Sequence, residues 1–317
     1  MTWPTRKILL QEGRIVPTAD SREIAKNESA SNLEHLALSA PKCTTTPIAT
    51  DPEGFDLGHA ASVLTDAAAK AGAAIMAHYD GPTDVDLKND ASPVTQADRD
   101  SEIVLLKALK ALAPDIHIVS EETAADRTAP LGSRFFLVDP LDGTKEFIKK
   151  RSDFTVNVAL VEDGYPRFGI VYAPARSLLA VTTADGVAME AELAPDAFGA
   201  DLSSLKQTRL HVRTGDRSGL TALVSLSHLD PETEKFLDAL NISERTGAGS
   251  SVKFLEIARG NADVYPRFGP TMEWDTAAGQ AVLEAAGGRV LNADGARFRY
   301  GKTEKGLLNP SFVAWSR

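Results

Sequence analysis

Residues 134–147 read Arg134-Phe135-Phe136-Leu137-Val138-Asp139-Pro140-Leu141-Asp142-Gly143-Thr144-Lys145-Glu146-Phe147. The aromatic and β-branched run before Asp139 predicts a buried strand. Two carboxylates separated by Pro and Leu, then Gly-Thr, follow it at once. Pro140 fixes its own φ and Gly143 permits φ above zero, so the chain can fold back sharply here. A tight turn at a strand end would aim Asp139, Asp142 and one backbone carbonyl between them at one point. An all-oxygen cluster of that kind suits a hard divalent cation, Mg²⁺ before Zn²⁺. An ordinary Asx-rich turn uses the same dipeptides, so the stretch alone leaves both readings open.

Working outward, helical spacing of Leu57, Ala60, Leu64, Ala68, Ala71 and Ile75 predicts a helix over 56–79, with Asp56 as N-cap. A polar loop at 88–93 leads to a second helix over about 99–112, which Asp98 precedes and Pro114 ends. A short strand at 116–119 delivers Ser120-Glu121-Glu122 at its end. Beyond the central turn, residues 154–160, 168–172, 178–183 and 187–190 alternate as antiparallel strands. The segment 194–206, rich in Pro, Gly, Asp and Ser, is a candidate boundary. After it, strands at 223–225, 262–265 and 290–291 alternate with helices at 231–240, 251–259 and 275–286, an α/β pattern. The expected organisation is an N-terminal extension over 1–54, disordered by its composition, an α+β half over 55–195 and an α/β half over 196–317.

The formal net charge of −10 argues against a nucleic-acid-binding surface. It does not exclude an anionic small substrate, because bound cations invert the sign of a local site. One cysteine, Cys43, allows no internal disulfide and no Cys-based zinc site. No run approaches the roughly 18 apolar residues of a transmembrane helix, and Ile8-Leu9-Leu10 is too short for a secretory h-region. These features predict a soluble, cytoplasmic protein, with peripheral association at the inner membrane as the alternative.

If the strands at 116–119 and 134–138 are parallel neighbours, Glu121, Glu122, Asp139 and Asp142 meet at one rim. Acids gathered without a cation raise one another's pKa and cost stability, so the pattern implies metal or proton chemistry. Asp275, in Trp274-Asp275-Thr276, reads as an ordinary N-cap that also stands where a ligand phosphate would be favoured.

Together the segments around Asp98, Ser120-Glu121-Glu122, 139–144 and Trp274-Asp275-Thr276-Ala277-Ala278-Gly279 resemble the inositol monophosphatase-like, Mg²⁺-dependent, lithium-sensitive phosphatase superfamily. The resemblance covers roughly residues 56–315 and implies a layered α-β-α-β-α sandwich, of mixed α+β and α/β character. Lys145-Glu146-Phe147, with Ser227-His228, 249–254 and Tyr265-Pro266-Arg267-Phe268-Gly269-Pro270, looks like the branch of bacterial 3′(2′),5′-bisphosphate nucleotidases. That branch implies hydrolysis of adenosine 3′,5′-bisphosphate to AMP and phosphate, a step of sulfate assimilation, with the sulfated relative as alternative substrate.

Carried over onto this sequence, the resemblance makes Glu121, Asp139, Asp142, Asp275 and the carbonyl of Leu141 ligands of two or three Mg²⁺ ions. It makes Asp98 and Thr144 the pair that orients and deprotonates the attacking water, with Glu121. The amides of Gly143 and Thr144 would hold the scissile phosphate. Ser225, His228, Ser250, Lys253 and Arg267 would bind the rest of the nucleotide, with Lys253 and Arg267 facing its second phosphate. The implied partner is a small nucleotide and the implied assembly a monomer or homodimer. The rival readings are an inositol monophosphatase or sugar bisphosphatase on the same scaffold and, more distantly, a non-catalytic metal or nucleotide sensor.

Overall fold

A computed structural model describes residues 55–81, 85–87, 93–124, 128–213, 219–225 and 230–317, with a short antiparallel pair at Leu10–Gln11 and Arg14–Ile15. Expectations for the remainder of 1–54 and for His228 lie outside the described residues. Helix α1 (Leu57–Ala77) starts on the predicted cap, where Asp56 accepts from the His59 amide at 2.9 Å. The pair β1 (Val85–Leu87) and β2 (Pro93–Thr95) leads straight into α2 (Gln96–Leu112). Strands β3 (His117–Ser120) and β4 (Arg134–Asp142) follow, then the one-turn helix α3 (Thr144–Ile148). Four more strands continue the first half: β5 (Thr155–Glu162), β6 (Tyr165–Ala173), β7 (Leu178–Thr182) and β8 (Ala188–Glu192).

The second half holds β9 (Gln207–Arg209), β10 (Leu220–Ser225), α4 (Pro231–Ala239) and β11 (Ile242–Ala248). It ends with α5 (Val252–Ala258), β12 (Val264–Arg267), α6 (Ala277–Ala285), β13 (Arg289–Asn292) and β14 (Phe312–Trp315). The seven-stranded sheet runs β9-β8-β7-β6-β5-β4-β3, with β3 and β4 parallel and every other pair antiparallel. The five-stranded sheet runs β11-β10-β12-β14-β13, parallel across its first three strands.

The period of two along the strands divides the apolar residues between two faces. On β4, Phe136 and Val138 join Val156, Val158 and Ile170 in a core under α1 and α2. Their neighbours Phe135 and Leu137, with Ala159 and Val161, face the other way into a core shared with α5, α6 and the second sheet. Ala222, Val264 and Val313 on the far side of that sheet pack on Phe236 and Leu237 of α4. The order is helices, sheet, helices, sheet, helix: the predicted α-β-α-β-α sandwich.

Candidate active site

The acids singled out in the sequence stand at or near the ends of their elements, Asp139 three residues inside the end of β4. The parallel register of β3 on β4 sets Ser120 opposite Val138, and the Glu121 amide donates to the Val138 carbonyl at 3.1 Å. Glu121 therefore leaves its strand level with Asp139. Oxygens of Glu121, Asp139 and Asp275 lie within 4.8 Å of one another. Asp139 bends the turn inward by accepting the Leu141 amide at 3.0 Å, and Ser101 of α2 donates to the Pro140 carbonyl at 2.8 Å. Gly143 completes the reversal at φ +92°. A Cβ there would stand 2.9 Å from the Asp153 carbonyl oxygen, so the turn needs glycine for space as well as for φ.

Two expectations are corrected in detail. Helix α2 begins at Gln96, so Asp98 lies inside its first turn rather than before it. Thr95 is the N-cap, and Asp98 Oδ2 accepts from the Thr95 amide at 2.8 Å and hydroxyl at 2.7 Å, closing a capping box. Asp98 Oδ1 is left for Thr144, whose hydroxyl donates to it at 3.1 Å and also lies 3.3 Å from the Leu141 carbonyl. Asp275 is not the N-cap of α6; Thr276 is. Asp275 closes the 3-10 turn Glu273–Asp275 and accepts the Met272 amide at 2.8 Å through Oδ2.

Asp142 binds the two halves together. Its Oδ2 accepts from the Ser250 hydroxyl at 2.6 Å and the Ser251 amide at 2.8 Å, and the Ser251 hydroxyl donates to the Asp275 carbonyl at 2.9 Å. Ser250 gives its proton to Asp142, so Thr155, 2.5 Å away, donates to Ser250. These bonds hold Ser250 at φ +52°. Asp153, tied to Arg176, accepts the Gly249 amide at 3.0 Å and anchors the start of the same turn.

Of the residues expected on the nucleotide side, Ser225, Ser250, Lys253 and Arg267 are described, and they lie at or just beyond the ends of three parallel strands. Ser225 pairs with Ala248 across β10 and β11. Ala222 faces Val264 across β10 and β12, so Ser225 and Arg267, each three residues on, end level. Lys253 is buried, donates to the carbonyls of Ser250 (2.8 Å) and Ala248 (3.3 Å), and sits 5.0 Å from the Tyr265 ring centroid. Buried Arg267 donates to the Pro270 carbonyl at 3.0 Å.

Burial pushes the carboxyls of Asp98, Asp142 and Asp275 above their ordinary value, and Asp142 and Glu121 push Asp275 further. Burial lowers the Lys253 ammonium to about 8 against the opposing pull of Asp142. Carboxylates that repel one another in a half-buried rim, with Asp139 itself buried and the Leu141 carbonyl beside them, are the donor set a hard divalent cation relieves. Mg²⁺ fits the residues present.

Sequence reasoning missed the supports. Glu102, buried on α2, accepts from Ser120 and from Thr123 at 3.1 Å and so fixes the segment carrying Glu121. Its signal was available, because Asp98, Ser101 and Glu102 share one helical face. Glu273, fully buried, accepts the amides of Gly301 (2.7 Å) and Lys302 (2.9 Å) and steadies the turn that ends at Asp275. No local pattern announces that bond across the chain.

Residues 56–314 match the inositol monophosphatase family. The chain is 42% identical over 248 residues to the 3′(2′),5′-bisphosphate nucleotidase CysQ of Shigella flexneri, spanning 77% of this chain and 95% of that one. The CysQ of Escherichia coli K12 matches over the same shares at 42%. Among solved structures, CysQ from Bacteroides thetaiotaomicron, described as a bacterial member of the inositol monophosphatase family, superposes with a TM-score of 0.67. It is 37% identical, and the match covers 80% of this chain and 97% of that one. An inositol monophosphatase from Thermotoga maritima shares the fold at a TM-score of 0.62 and 20% identity, over 80% of this chain and 90% of that one.

Proposed function

The chain belongs to the inositol monophosphatase family, and we propose that within it this protein is a Mg²⁺-dependent nucleotidase that removes the 3′-phosphate of adenosine 3′,5′-bisphosphate. AMP and phosphate are the products, in sulfate assimilation, and 3′-phosphoadenosine 5′-phosphosulfate, which would give adenosine 5′-phosphosulfate and phosphate, is the alternative substrate. The observation that carries this reading is a buried cation pair, Lys253 and Arg267, next to the carboxylate rim. An inositol ester offers one phosphate, which the rim serves; a bisphosphate needs positive charge for the second. The identity to named bisphosphate nucleotidases supports the same choice.

Glu121, Asp139, Asp142, Asp275 and the Leu141 carbonyl would hold two or three Mg²⁺ ions. The metal supplies charge neutralisation for the phosphoryl oxygens and a lower pKa for the attacking water. The residues themselves do the rest. Thr144 Oγ1, donating to Asp98, keeps a lone pair to accept a proton from water. As that proton arrives, Thr144 passes its own to Asp98, whose raised pKa makes it a better base than an exposed carboxylate. The amides of Gly143 and Thr144, at the turn, hold the scissile phosphate, with Glu121 steering the water from the opposite rim. Ser225, His228 and Ser250 bind the nucleoside side. Neither the mechanism nor the residues call for a covalent phospho-enzyme.

No helix among the described residues is long and apolar enough to cross a membrane. We assign the protein to the cytoplasm, as monomer or homodimer, with a small nucleotide as its partner. The reading is tested by identifying the product of adenosine 3′,5′-bisphosphate by phosphorus NMR, with Mg²⁺ and with added Li⁺. Formation of 5′-AMP, dependent on Mg²⁺ and inhibited by Li⁺, is expected. Release of the 5′-phosphate, or no turnover while inositol 1-phosphate is hydrolysed, would overturn it.

A further inference from the structure

Asn157 stands fully buried within β5, opposite Asp139 on β4 and Val171 on β6. Alternation puts it on the face of Ala159 and Val161, which belong to the core under α5 and α6. It is a polar residue on an apolar face, beside the acids. Its Nδ2 donates to Asp142 Oδ2 at a long 3.4 Å, while its buried Oδ1 accepts nothing. Leaving such an acceptor without a donor costs the full desolvation of that group. Reversing the amide does not help: Oδ1 would then face a carboxylate oxygen that already accepts from Ser250 and Ser251. The charge of Asp142 therefore fixes which way the amide points. An orphaned acceptor in this setting wants a donor that arrives with the cation. Mg²⁺ dehydrates reluctantly and keeps several waters, each with protons to donate.

We propose that Asn157 is a positioning residue of the cation centre. Its Nδ2 steadies Asp142, and its Oδ1 accepts from a water in the hydration shell of the divalent ion. The proposal rests on the metal site of the preceding reading and adds to it a residue outside the carboxylate set. Groups of this kind behind metal ligands typically contribute about 10- to 100-fold in metal affinity.

The test titrates the full chain with Mg²⁺ by calorimetry, and melts it in EDTA, for the wild type, Asn157→Leu and Asn157→Ala. Leu keeps the branching at Cγ with somewhat larger methyl groups and removes both polar atoms. Asn157→Leu should weaken Mg²⁺ binding at least tenfold while melting in EDTA at or above the wild-type temperature, because an unsatisfied buried acceptor is gone. Asn157→Ala, which cannot clash, should also lose at least tenfold and serves alone if the Leu variant does not fold. Mg²⁺ affinity within twofold of wild type in the folded variants would overturn the role of Asn157 and leave the metal site standing. A wild type that takes up no Mg²⁺ would overturn the metal site and this proposal together.

Discussion

Replacing Gly143 by Ala probes the turn on which the site depends. Two costs follow from the geometry. At φ +92° an L side chain costs about 1–2 kcal/mol in conformational energy alone. The new Cβ would also lie 2.9 Å from the Asp153 carbonyl oxygen and 3.3 Å from Phe154 Cα, both backbone atoms. Asp153 cannot retreat easily, since its carboxylate is tied to Arg176 and to the Gly249 amide. Overpacking of this kind costs about 1–3 kcal/mol more. Gly199 provides the control: its φ is +75°, but a Cβ there meets nothing within 4 Å. Urea unfolding should therefore show Gly199→Ala losing about 1–2 kcal/mol and Gly143→Ala about 2–5 kcal/mol. The larger consequence is catalytic. Asp142 and Thr144 flank Gly143, and a displacement of about 1 Å can cost on the order of 100-fold in rate. At saturating Mg²⁺, kcat/KM of Gly143→Ala should fall by at least that factor, with far-UV circular dichroism unchanged. Equal urea midpoints for the two variants, together with wild-type turnover, would refute the reasoning.

Asp142→Asn should abolish most turnover while leaving the fold intact, since it removes a charge that burial already disfavours; near-normal Mg²⁺-dependent activity would contradict the ligand assignment. Thr144→Val keeps the shape and deletes the hydroxyl that links to Asp98 at 3.1 Å. It should cost about 10²- to 10⁴-fold in kcat while calorimetry finds Mg²⁺ binding retained, and an unchanged kcat would remove Thr144 from the proton path. The pH dependence of the metal-free protein follows from carboxyls held above 3.8 at Asp98, Asp142 and Asp275. Between 3.8 and those raised values the folded chain binds more protons than the unfolded one, so stability falls as pH rises through the window. Asp100, Asp201 and Asp230, held below 3.8, act under it. In EDTA the melting temperature should rise as pH is lowered from neutrality into the window, and the stabilisation by Mg²⁺ should shrink over the same range. A metal-free melting temperature that only falls on acidification would count against the mutual repulsion of the rim carboxyls.

Much of the fold was legible because local and global signals agreed. Residues 135–138 are apolar on both faces, and β4 is indeed covered on both. The spacing of α1 and the alternation of β5 to β8 were equally plain. What escaped notice lacked such contrast. Strand β11 reads Ile242-Ser243-Glu244-Arg245-Thr246-Gly247-Ala248 and lies at a sheet edge, largely exposed, where no apolar alternation is required. Helix α3 is one turn long and hides inside the acidic motif. The strand expected at 262–265 is β12, Val264–Arg267, two residues on; that shift brings Arg267 onto the strand end beside Ser225. The site acids were legible as a set, but their supports were not. Glu102 could have been suspected from the helical face it shares with Asp98 and Ser101, but its partner Thr123, like Gly301 for Glu273, is connected to it by no sequence spacing.

Above all, the rim and the cation pair together should select a bisphosphate. Two charge-assisted contacts to the second phosphate, at about 1.5–3 kcal/mol each, correspond to about 10²- to 10⁴-fold. The ratio of kcat/KM for adenosine 3′,5′-bisphosphate to that for inositol 1-phosphate, measured by phosphate release in Mg²⁺, should therefore be about 100 or more. A ratio at or below unity would contradict the account.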